Sequence, residues 1–110
     1  MRTSISIAVL LAASTTHALA NEYRLEPLGG SGQVIVWKSK EAHDEALSLI
    51  QAGVHKTNPA MVGALVACMV DGGTKAIVTD MGFVTHDILV VSGKSSGCRG
   101  NIAAEELGRR

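Results

Sequence analysis

From Met61 onward the chain alternates short aliphatic runs with glycine-bearing turns, and this spacing constrains the fold more than any other feature. Residues 61–70 (MVGALVACMV) are apolar and stop at Asp71-Gly72-Gly73. Residues 74–80 alternate in part and stop before Met81-Gly82, residues 86–92 (HDILVVS) stop at Gly93, and residues 97–102 (GCRGNI) are short and glycine-flanked. Strands of about four to eight residues with a turn roughly every ten predict a small all-β barrel or sandwich. Only Tyr23, Trp37 and Phe83 are aromatic, so its core must be built from Val, Ile, Leu, Met and Ala. No internal repeat is visible.

Upstream of this region the pattern changes period. Ser39 opens the stretch SKEAHDEALSLIQAGV as the expected N-cap, Glu41 suits the positive end of the helix dipole, and Gly53 is a stop signal. Ala42, Ala46, Leu49 and Ile50, with nearby Leu47, form one apolar stripe, and charged and polar residues cover the other face. Such a stripe is core, or else an interface through which two helices pair across a homodimer or cover a partner's groove. Residues 55–60 read as a connector, because Pro59 holds Asn58 extended. Residues 21–38 hold Pro27 and three glycines and read as a flexible leading segment, with 34–37 (VIVW) as a short candidate edge strand. Helix and strands are segregated along the chain, which excludes βαβ units.

Residues 1–20 have the layout of a cleavable secretory signal peptide. Arg2 supplies the positive charge, residues 5–13 (ISIAVLLAA) the apolar stretch, and Ala18 and Ala20 the small residues before a cut between Ala20 and Asn21. The apolar run is about half of what a spanning helix needs, so no stable membrane anchor is expected after cleavage. The expected organisation is a signal peptide at 1–20, a flexible segment at 21–38, an amphipathic helix and connector at 39–60, and a small β-barrel at 61–110. Ten basic and ten acidic residues balance, and loss of Arg2 leaves the mature chain one unit negative. Nothing in that balance attracts phosphate backbones, so nucleic acid is not an expected partner.

The C-terminal half resembles a bacterial Src homology 3-like domain over about residues 61–107. The matching elements are Gly73-Thr74-Lys75-Ala76-Ile77-Val78, then Ile88-Leu89-Val90-Val91, then Gly97-Cys98-Arg99-Gly100-Asn101-Ile102, and a closing turn at Glu105-Glu106-Leu107. The resemblance implies a small barrel preceded by the helix. It does not carry the family's ligand chemistry, because Asn101 stands where an aromatic is usual and Phe83 is the only ring in the region.

Cys68 and Cys98 are the only cysteines, 30 residues apart. In an exported chain an even pair commonly closes, and the loop-entropy model assigns about 3–4 kcal/mol to such a bridge. The resemblance implies strands that bring these positions close. The alternative is a reactive Cys98 thiol with His86 as its base, in a small thiol-dependent hydrolase, although no third group orients His86. His43, His55 and His86 with Asp44, Asp80 and Asp87 show no metal-ligand spacing and read as surface histidines and turn aspartates. Gly93-Lys94-Ser95 lacks the upstream glycine and the following helix of a phosphate loop, and reads as a hairpin turn. No catalytic residue, metal or cofactor is expected. The expectation is an exported, periplasmic or extracellular, non-enzymatic binding or scaffolding module of a bacterial envelope. Its partner would be a protein or a cell-wall polymer, and an envelope inhibitor or immunity protein is a further alternative.

Overall fold

A computed structural model describes residues 22–30 and 32–108. The expected signal peptide and its cleavage point at Ala20 and Asn21 lie outside the described residues. Strands β1 (Glu22–Arg24), β2 (Gln33–Trp37), β3 (Val66–Asp71), β4 (Lys75–Asp80), β5 (Thr85–Val90) and β6 (Arg99–Ala103) form one antiparallel sheet in the order β1-β4-β5-β6-β2-β3. Helices α1 (Lys40–Gln51), α2 (Val54–Thr57) and α3 (Pro59–Gly63) lie between β2 and β3. The domain is thus mainly β.

The β3–β4 connection dictates the shape of this sheet. Only residues 72–74 separate the two strands, yet β3 and β4 stand four positions apart in the strand order. In a flat sheet four spacings amount to about 19 Å, more than the roughly 14 Å that the linking residues reach fully extended. The link is also folded into a turn, with Thr74 N donating to Asp71 O at 3.1 Å, and Leu25 N donating to Thr74 O at 2.8 Å. The sheet therefore has to curl. Its inner face buries Leu25, Val34, Val36, Val70, Ala76, Ile88, Val90 and Ile102 in one cluster, with Cys68 and Cys98 packed against it. Each Val, Leu or Ile side chain among them taken out of water stabilises the fold by about 1.5–3 kcal/mol. After β6 a 3-10 turn, Ala104–Glu106, leads to Leu107, which bridges back to Leu25.

The outer face carries the helices. Ser39 Oγ accepts from Ala42 N at 3.0 Å and caps α1, and Gly53 (φ 81°) lies just past its end. Ala42 and Ala46 are buried against Trp37, inside a ring of Ile35, Val62, Leu65 and Val66. Their small side chains let the helix approach the indole closely. The stripe is therefore core at Ala42 and Ala46, where no face remains open to a second chain, while Leu49 and Ile50 are half-buried.

Three expectations are corrected. The described residues of the 21–38 segment are not a flexible leader to the fold: they supply β1 and β2, and Leu25, Val34, Val36 and Trp37 are among the most buried side chains. The sheet thus draws on residues well upstream of 61–110, and the helix is inserted between strands rather than placed before them. Residues 55–60 are not a bare connector, since Pro59 occupies the first turn of α3, where its missing N–H costs no hydrogen bond. The apolar run at 61–70 is split for the same reason: its first residues finish α3 and the strand begins only at Val66.

Candidate functional site

One row of cross-strand partners crosses the outer face: Asp80 on β4, Asp87 on β5, Asn101 on β6 and Trp37 on β2. Directly opposed residues on paired strands share a face. α1 covers the Trp37 end, Asn101 is still buried, and the row reaches the surface at Asp87 and Asp80. A register shift between Val78 and Asp80 leaves Thr79 as the extra residue and brings Asp80 opposite Asp87. Such bulges re-aim side chains at strand ends. Asn101 is 2 % exposed, and its Nδ2 donates to Asp87 Oδ1 at 2.8 Å. Its Oδ1 is buried with no partner among the described residues.

These residues line a cleft of about 280 Å³ whose other wall is the β4–β5 loop. The loop's base is pinned: Gly82 N donates to His86 Nδ1 at 3.1 Å, Ala104 N donates to Val84 O at 2.9 Å, and Thr85 is buried. A Cβ on Gly82 would run into the Thr85 carbonyl oxygen, so only glycine fits this turn. The tip is open, with Met81 58 %, Val84 67 % and Phe83 101 % exposed. On the far side of Asp87 a second cleft is lined by Lys38, Lys40 and Arg99 at the start of α1. Gly100 lets β6 run close beneath, since a Cβ there would strike the Trp37 carbonyl oxygen.

The other residues singled out from the sequence lie elsewhere. Cys68 and Cys98 are joined in a disulfide between β3 and the residue preceding β6, so the Cys98 sulfur is bonded to Cys68 and not poised beside a base. His86 pairs across strands with Ile102 on the inner face, whereas Asp87 pairs with Asn101 on the outer. His43 and His86 are buried, not surface, histidines. The His43 ring meets Trp37 edge-on at 6.5 Å, and its Nδ1 lies 3.0 Å from Asp44 Oδ1. Among the described residues no three His, Cys, Asp or Glu side chains are grouped to hold a metal ion. Residues 92–97 form the turn between β5 and β6, with Gly97 N donating to Val90 O at 2.8 Å. Among the described residues no helix is long and apolar enough to cross a membrane.

The cleft itself escaped the sequence reading. Its signal was Met81-Gly82-Phe83-Val84, an apolar, aromatic tetrapeptide at a turn, where polar residues ordinarily stand. Compared with known proteins, the chain matches no family model, no curated protein and no solved structure.

Proposed function

We propose that this chain is an exported, non-enzymatic binding or scaffolding module of a bacterial envelope, and that it engages its partner through the cleft beside Phe83. The observation that carries the reading is the wholly exposed Phe83 ring on a loop whose base is held by His86 and Ala104. Exposing an aromatic ring to water is unfavourable, and aromatic side chains are typical anchors of binding interfaces. Export is supported by the leader pattern of residues 1–20 and by a disulfide, which persists in oxidising compartments. A diverged Src homology 3-like barrel is the finer fold reading. It is supported by the curled sheet, the β4-β5-β6 succession of neighbouring strands, and the 3-10 turn leading to the Leu25–Leu107 bridge.

Sedimentation of the disulfide-intact protein with purified peptidoglycan, alongside capture from envelope extracts, tests the reading. Phe83→Ala is expected to weaken the retained interaction by about 2 kcal/mol, roughly 30-fold, while changing stability by less than about 0.5 kcal/mol. A protruding ring also suits insertion into a partner's groove, which favours the inhibitor or immunity protein as a second reading. A stoichiometric protein complex without polymer binding would select it.

A further inference from the structure

Asp80 and Asp87 are directly opposed on neighbouring strands and line the same cleft. Like charges in that relation destabilise a sheet. Among the described residues neither carboxylate has an ion-pair partner, and Asp87 receives only the Asn101 amide. Lys40, at the cleft's rim, is turned to its own helix, with Nζ 3.0 Å from Asp44 Oδ2. A further acceptor lies in the same cross-strand row and the same lining, the partnerless Oδ1 of the almost wholly buried Asn101, whose Nδ2 is turned to Asp87. A buried acceptor left unmade is costly, and the cleft gathers three acceptors with unmet capacity while the one cation in its lining, Lys40, is paired with Asp44; Lys38 and Arg99 line the neighbouring cleft on the other side of Asp87.

Building on the reading of this cleft as the contact surface, we propose that it takes an alkylammonium group, such as a lysine-type side chain of a peptide. An ammonium carries three N–H donors. The Asp80 carboxylate, the free oxygen of Asp87 and Asn101 Oδ1 match that number. The ring of Phe83 at the rim offers a face to the cation or to its methylene stem. A divalent ion fits less well, because calcium takes six to eight oxygens and magnesium demands a near-octahedral set.

The test is an NMR titration of the disulfide-intact protein with Nα-acetyl-lysine methylamide, and separately with the same molecule acetylated at Nζ. The unmodified probe is expected to bind with a Kd on the order of 1 mM, to shift the Asn101 side-chain amide signals, and to bind more weakly as salt rises. Asp80→Asn and Asp87→Asn should each weaken it about tenfold or more, the effect of losing one charge-assisted hydrogen bond. Asp80→Asn, which removes the opposed charge, should also raise the Tm of the free protein by about 1–5 °C. An equal response to the Nζ-acetylated probe, or no perturbation at Asp80, Asp87 and Asn101, overturns the proposal. Failure here is separable from failure of the wider reading. An envelope partner released by Phe83→Ala but retained by both asparagine variants sinks the ammonium site alone, whereas a partner that survives all three removes the cleft as the contact surface.

Discussion

Glu106 shows how burial decides the behaviour of a single side chain. It lies in the 3-10 turn after β6, is 8 % exposed, and faces the same small cleft as Trp37 and His43. Burial pushes its carboxyl above the ordinary glutamate range, opposed by the Ala103 amide, which donates to Oε1 at 3.4 Å, and by the charge of His43. A carboxyl whose folded pKa is raised holds its proton longer in the native state than in the unfolded one. Its contribution is therefore most favourable at acid pH, and it is lost as pH rises from the ordinary glutamate value through the raised one. Glu106→Gln is expected to increase Tm at neutral pH and to flatten that decline, and thermal melts from pH 4 to pH 8 (roughly the range over which carboxyls and histidines titrate) would measure it. Nothing in the primary sequence distinguishes Glu106 from its exposed neighbour Glu105. Likewise His43 and His86 read as solvated polar residues until α1 and the β4–β5 loop are laid over them.

At the scale of elements, local chemistry and tertiary contact divide the work visibly. α1 starts and stops where its own residues say it should, because Ser39 supplies the side-chain acceptor for Ala42 N and Gly53 takes up the left-handed conformation that ends the helix. Ser39→Ala removes that cap and should cost about 1 kcal/mol, read as a lower urea midpoint with an unchanged slope. The segment after it carries two opposing local signals. Pro59 both forbids helix to Asn58 and favours helix at its own position, and only the second effect tells α3 from a connector. β1 and β2 were obscured by the glycines and proline among them. Their strand character comes from pairing with β4 and β3, not from a long alternating run.

For the whole molecule, the Cys68–Cys98 bridge ties edge strand β3 to the start of β6, with β2 lying between them in the sheet. It closes a 30-residue loop that contains the β3–β4 turn, β4 and β5. A domain this small hides a limited share of its surface, so the bridge is a large part of its margin. Reduction should lower the unfolding free energy by about 2–4 kcal/mol, and paired denaturation curves with and without reductant would show a native baseline shortened accordingly. By itself the sequence determined the β-rich class, the limits of α1 and the β5–β6 turn, because each rests on periodicity, capping or turn chemistry within a few neighbouring residues, and it determined the aliphatic core and the cysteine pair because composition left no other choice of core residues or of sulfur partner. Only the tertiary structure decided that β1 and β2 complete the sheet, that the three-residue β3–β4 link makes it curl, and that Asp80, Asp87 and Asn101 meet beside Phe83. Those contacts join residues far apart along the chain through strand register, which no local pattern encodes.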